Sequence, residues 1–304
     1  MRWLTYTSPA AGTDRAGLLV DDVVHGLDAE LPDLLDDLPA AGERVRSAPA
    51  ETLPLAEARL RAPVPEPPSV RDFLSFEEHA KNASAAFGRD VDPVWYSQPV
   101  FYFTNPAAVR GPRDDVPVSP GSQKFDYEVE VAAIVGRPGA DLTPAEAEAC
   151  IAGYTIFVDW SARDVQGVES RVGLGPAKGK DGATSLGPFL VTPDELGDRR
   201  SGRGYDLAMS ASVNGVRQGG GSWADIHWSF GQMLAYASRG TRLRPGDIIG
   251  SGTVGTGCLL ELSSLHGAEK HPWLQPGDAV TVEIERLGAV NAKITAPAPV
   301  VPLD

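Results

Sequence analysis

Cysteine is nearly absent. Cys150 and Cys258 are the only two in 304 residues, and neither sits in a CxxC or metal-ligand spacing. That excludes a disulfide scaffold and a thiolate zinc site. Both are expected as buried small hydrophobes of a reduced, cytoplasmic protein. No apolar run is long enough to span a bilayer, and the N-terminus has no basic-then-apolar leader. Neither a membrane span nor a secretory signal is therefore expected. Positive charge is also short: 27 Lys and Arg stand against 41 Asp and Glu, a net charge of −14. This argues against nucleic acid as a partner and against a polybasic membrane anchor. A small anionic substrate stays possible, because a bound cation and a few basic side chains can set the field inside a pocket. Lysine is the scarcest charge. There are six, and two of them, Lys178 and Lys180, fall in one glycine-rich loop, 173–188.

What is abundant is carboxylate, and one stretch places it with purpose. Phe125 to Gly136 (FDYEVEVAAIVG) reads as a strand, with apolar alternation and β-branched residues. Side chains two apart on a strand share a face, so Glu128 and Glu130 point the same way at the edge of a core. Paired carboxylates there lose hydration and repel, and a hard divalent cation is the simplest compensation. An ordinary strand with a water-facing polar side is the alternative. Ile151 to Val158 is a second strong strand, and Asp159 stands where it ends. It is either a cap or a third carboxylate presented by a rigid element.

The rest of the chain supplies punctuation. A hairpin is expected at 18–27 around Asp21-Asp22, and Leu31 to Leu38 has helical spacing with acidic residues turned to water. A Pro-rich link follows at 60–70. Ser69-Val70-Arg71-Asp72 matches a capping pattern and is expected to open a helix running through His79. Asp72 is then a helix-dipole charge and His79 a helix-surface residue, or both serve a site on one helix face. The aromatic segment 93–112 is a pocket wall, a subunit contact or plain core. Asn214-Gly215 signals a hairpin turn, and Phe230 to Ala237 a helix. Gly250 to Gly257 is a second glycine-rich loop, where backbone can approach a ligand. Glu261 is a lone charge in an apolar run. Loop 173–188 lacks the P-loop spacing. Its lysines either reach an anion or are solvated.

Taken together, RDF…H (Asp72, His79), FDYEVEVA, DWSARDVQ, GKDGAT, SLGPFLVT and LRPGDIIGSGT resemble the fumarylacetoacetate hydrolase family, in order from about Val70 to Leu287. The loop after Lys180 departs from it, reading Asp181-Gly182-Ala183 in place of a Ser-aromatic-Gly run. The resemblance implies an α+β, predominantly β fold: a mixed β-roll catalytic domain over 66–304 with a small N-terminal α/β domain over 1–65. It implies a metal site of Asp72, Glu128, Glu130 and Asp159 for a divalent cation, Mg²⁺ first, with Mn²⁺ or Ca²⁺ as alternatives. His79 matches the catalytic histidine and Glu261 its partner. Arg163, Gln166 and Lys180 match groups that engage substrate oxygens, Thr253 a substrate-contacting threonine, and Thr184 the loop beside the cation. The implied activity is metal-dependent hydrolysis of a carbon–carbon bond in a β-diketo acid. The alternative is decarboxylation, isomerisation or lyase chemistry on an oxo-acid through the same enolate. A homodimer is also implied.

Overall fold

The computed structural model describes residues 1–86 and 88–302, so residue 87 and the end of the 66–304 segment lie outside the described residues. The fold is α+β and predominantly β. The N-terminal strands are β1 (Arg2–Thr7), β2 (Asp14–Val20), β3 (Val23–Gly26) and β4 (Glu51–Pro54). Next come β5 (Val70–Phe73), β6 (Phe101–Thr104), β7 (Val129–Val135), β8 (Ile151–Asp159) and β9 (Thr184–Val191). The last five are β10 (Ala208–Val213), β11 (Val216–Ser222), β12 (Ile248–Gly250), β13 (Ala279–Ile284) and β14 (Gly288–Thr295). The helices used below are α1 (Leu38–Ser47), α2 (Glu77–Ala86), α3 (Pro144–Glu148), α4 (Arg163–Glu169), α5 (Phe230–Ala237) and α6 (Leu259–His266).

One large sheet runs β4-β3-β2-β1-β9-β8-β7-β12-β5-β6, and β11-β10-β13-β14 form a second. The large sheet is continuous across residue 65, because β1 pairs with β9 (Trp3 opposite Leu190). Its apolar contacts run the same way: Trp3, Leu18 and Leu31 pack in one cluster with Ile134, Phe157 and Leu186. Strand β7 is buried on both faces along its whole length, as its apolar run predicts. Each such fully buried aliphatic side chain stabilises by about 1.5–3 kcal/mol.

Local signals hold where they are purely local. Asp21 and Asp22, both at positive φ, turn the β2–β3 hairpin, and Asn214-Gly215, likewise at positive φ, turns β10–β11. A capping box at Thr143 opens α3, and α5 spans the expected residues.

Two expectations fail to tertiary pairing, and a third holds only in part. Val70–Phe73 is a strand rather than a helix opening; β5 pairs with β12 on one side and β6 on the other, and two ladders outweigh a capping pattern. The helix starts only at Glu77. The strand expected from Phe125 is interrupted at Tyr127-Glu128, since Phe125-Asp126 pairs elsewhere, with Ser161-Ala162. The Leu31–Leu38 expectation holds in its faces, with Asp33, Asp36 and Asp37 exposed and the leucines in the core under the sheet, but the segment is a short 3₁₀ turn ahead of α1.

Candidate active site

Sheet register gathers the site at one end of the large sheet. Because β7 and β8 are antiparallel, with Val129 opposite Val158, the start of β7 lies beside the end of β8. Glu128 and Glu130 thus meet Asp159. Asp159 in turn faces Thr184, the first residue of β9. On the other side, Gly250 of β12 pairs with both Ala132 of β7 and Asp72 of β5. A Cβ on Gly250 would stand 2.6 Å from Asp72 Oδ1 and 3.3 Å from Glu130 Oε2. Only glycine lets these two carboxylates close over that strand.

The four carboxylates of Asp72, Glu128, Glu130 and Asp159 are all buried, and one oxygen from each lies within 4.8 Å of the others. Their partners divide them. Lys180 Nζ donates to Glu128 Oε2 and to Asp159 Oδ2, each at 2.6 Å. Arg163 Nη2 lies 2.7 Å from Glu128 Oε1. Burial alone would raise the Glu128 pKa, but these two cations hold it well below the ordinary carboxylate range. Among the described residues, no cation contacts Glu130; its partners are the Gly252 N–H and Thr253 Oγ1. Burial, then the charges of Asp72 and Glu128, push it well above that range. Burial takes Asp72 up to about 6 and Asp159 up to about 8. The backbone N–H of Gly252 donates to Asp72 and Glu130, and Thr253 Oγ1 to Glu130 at 3.4 Å.

Two buried oxygens here, Asp159 Oδ1 and Thr184 Oγ1, have no hydrogen-bond partner among the described residues. An all-oxygen donor set with orphaned atoms and unneutralised charge fits a hard divalent cation. The cluster can therefore hold one, exchanging protons for metal as it binds.

Across the same cavity, of about 270 Å³, stands His79. Its Nδ1 lies 2.8 Å from Glu261 Oε2. Glu261 is fully buried and further held by Asn82 Nδ2 at 2.9 Å, the Thr256 N–H at 3.0 Å and Cys258 Sγ at 3.3 Å. Burial raises its pKa, but His79 and these donors outweigh burial and keep it below the ordinary value. His79 lines the cavity, while Glu261 stands behind it. With Nδ1 engaged, Nε2 is the ring nitrogen left for the cavity.

Each sequence-selected residue has a definite place. Asp72, His79, Glu128, Glu130, Arg163, Gln166, Lys180 and Thr253 line one cavity; Asp159 and Glu261 lie just behind, bonded to Lys180 and His79. Gln166 Oε1 accepts from Arg163 Nη1 at 3.2 Å. The loop carrying Lys180 is pinned by Glu169, whose carboxylate accepts the N–H groups of Ala177, Lys178 and Gly179. Lys178 is exposed and, among the described residues, pairs with Asp181 alone. Cys258 is buried, whereas Cys150 is partly exposed.

Two residues escaped the sequence. Asp126 is fully buried; it binds Arg163 Nε at 2.8 Å and accepts the Leu259 and Leu260 N–H groups that open α6. The alternation Asp126, Glu128, Glu130 already contained it. Tyr102, inside the aromatic segment, donates to Asp159 Oδ2 at 2.5 Å and lines the cavity. For that segment, pocket wall is the reading that fits Phe101 and Tyr102, while Trp95 is core.

A family model described as fumarylacetoacetate (FAA) hydrolase, C-terminal, matches residues 69–295. The chain belongs to the fumarylacetoacetate hydrolase family. Among family relatives, a 2,4-didehydro-3-deoxy-L-rhamnonate hydrolase of Sphingomonas sp. is 28% identical over 93% of each chain. A mitochondrial oxaloacetate tautomerase of Homo sapiens is 29% identical, over 89% of this chain and 82% of its own. A solved fumarylacetoacetate hydrolase from Exiguobacterium antarcticum superposes with a TM-score of 0.70 at 27% identity, covering 97% of this chain and 99% of that one. The family thus includes hydrolases and a tautomerase. Among the described residues, no helix is long and apolar enough to cross a membrane.

Proposed function

We propose that this family member hydrolyses the carbon–carbon bond of a β-diketo acid of the acylpyruvate type. The observation that carries the reading is the His79–Glu261 pair, bonded at 2.8 Å with the imidazole in the wall of the carboxylate-lined cavity. Glu261 on Nδ1 fixes the tautomer and stabilises the imidazolium, so Nε2 serves as a base toward the cavity. A divalent cation on Asp72, Glu128, Glu130 and Asp159, Mg²⁺ first, would supply Lewis-acid polarisation of the substrate's oxygen end.

His79 Nε2 takes a proton from water, and the water oxygen adds to the acyl carbonyl carbon. The bond from that carbon to the methylene breaks, and the methylene carbon recovers the proton from His79. The products are a carboxylic acid and pyruvate. Arg163 stands beside the cluster with its guanidinium oriented by Asp126 and Gln166. The Gln166 amide N–H is available to substrate oxygens, and the Thr253 hydroxyl, which donates to Glu130 at 3.4 Å, lines the same cavity. Donors placed where charge develops are worth about 10²–10³ in rate each.

The deciding experiment offers acylpyruvates and oxaloacetate with Mg²⁺ or Mn²⁺, follows the enol absorbance and identifies products. Pyruvate plus a carboxylic acid from the acylpyruvate, lost in Glu261→Gln, is the expected result. Intact acylpyruvate beside rapid enol–keto interconversion or decarboxylation of oxaloacetate would replace hydrolysis by the isomerase, tautomerase or decarboxylase alternative.

A further inference from the structure

The cavity has a polar end and an apolar end, and the chain builds both from the same elements. Leu74 comes just after β5, two residues past Asp72, and lines the same cavity. Val100 comes just before β6, two residues ahead of Tyr102, and lines it too. Asp72 pairs with Tyr102, and the Leu74 N–H reaches the Val100 carbonyl at 3.2 Å, so the pairing continues past the strand ends. A polar row, Asp72 and Tyr102, is therefore followed about 7 Å along the strand pair by an apolar row, Leu74 and Val100. Helix α2 repeats the arrangement: His79 is followed one turn later on the same face by Ala83. Helix α6 adds Leu260.

The charges of the lining are equally one-sided. Among the described residues of the lining, its guanidinium and ammonium groups belong to Arg163 and Lys180. Arg163 is bound by Asp126 and Glu128, and Lys180 by Glu128 and Asp159, all within 2.8 Å. Among the described residues, no Arg or Lys joins Leu74, Val100, Ala83 and Leu260 in the cavity wall to receive a second anion. A carboxylate there would lose water without a partner.

Resting on the oxo-acid reading above, we propose that this cavity selects substrates with an uncharged, apolar tail. The tail lies against Leu74, Val100, Ala83 and Leu260, and a tail ending in a second carboxylate is rejected. Selection arises from both contacts: methylenes gain burial, and the charged competitor finds no counter-ion.

The test uses two non-hydrolysable ligands of equal chain length, 2-oxohexanoate and 2-oxoadipate, titrated calorimetrically into the protein saturated with Mg²⁺. Tighter binding of 2-oxohexanoate, by about tenfold or more, is expected from the missing counter-ion. Val100→Arg, or Ala83→Arg if the first does not fold, should shrink or reverse that ratio. Equal affinities, or tighter 2-oxoadipate, overturn the apolar-tail assignment while leaving the oxo-acid reading in place, since both ligands still bind. An unchanged ratio in a folded arginine variant also overturns it. If neither ligand binds while Mg²⁺ does, the oxo-acid reading falls and the tail inference with it.

Discussion

His79 Nδ1 and Glu261 Oε2 are 2.8 Å apart, although 182 residues separate them in the chain. The contact joins the first turn of α2 to the first turn of α6. A base and its orienter act as one unit, so their losses do not add. His79→Ala and Glu261→Gln should each lower kcat on an acylpyruvate by about 10²–10⁴. The double variant should be little worse than either, with Mg²⁺ affinity retained in calorimetry. Additive losses would falsify the pair.

The metal-free protein should lose stability as pH rises. Asp72 and Asp159 have folded-state values raised to about 6 and about 8. A raised carboxylate contributes stability that is complete below its unfolded value and is lost as pH climbs through the folded one. Thermal melts in EDTA should therefore show Tm falling between about pH 4 and pH 8 from these groups. A divalent cation binds the deprotonated cluster, so the Tm gain from Mg²⁺ should widen over the same window. A gain that is flat or shrinking with pH contradicts a cation site on these carboxylates.

Gly250→Ala tests the cluster without removing a ligand. The added Cβ stands 2.6 Å from Asp72 Oδ1, so the carboxylate must swing away. Mg²⁺ affinity should fall at least about tenfold, with about 1–3 kcal/mol lost from overpacking in denaturant melts. Wild-type affinity in a folded variant would show that Asp72 has room to give.

Lys178 and Lys180 are neighbours in sequence and opposites in environment. Lys178 is 77% exposed, whereas Lys180 is 4% exposed and bonded to two carboxylates. Lys180→Met strands Glu128 and Asp159, and truncating one partner of such a buried pair costs about 3–5 kcal/mol. Its kcat/KM should drop by orders of magnitude, with Mg²⁺ recovering part of the lost Tm. Lys178→Met should be near wild type in both. Equal effects would place the functional charge elsewhere in the loop.

Much of this site was legible because its signals are periodic and short-range. Glu128 and Glu130 share a face by strand geometry alone, and Asp159 is set at a strand end by the apolar run before it. Asp72 was assigned to the site by resemblance but to the wrong element. The pattern Ser69-Val70-Arg71-Asp72 satisfies a helix-capping rule, and nothing within four residues says that β12 and β6 will claim that backbone instead. Asp126 shows the converse. The alternation delivered three carboxylates, and what separates Asp126 from the other two is the break at Tyr127-Glu128. That break turns it toward Arg163 and the start of α6.

The sequence by itself determined the residue types, their spacing and which faces are apolar, since each depends on one segment's own period. Only the tertiary structure decided that Asp72, Glu130 and Asp159 meet at one end of one sheet and that α6 brings Glu261 to His79 beside them. That convergence follows from strand register: sliding β7 against β8 by one residue would send every side chain to the opposite face. The register is held by the ladders on either side of β7, Val129 opposite Val158 and Ala132 opposite Gly250, and these partner strands come from distant parts of the chain.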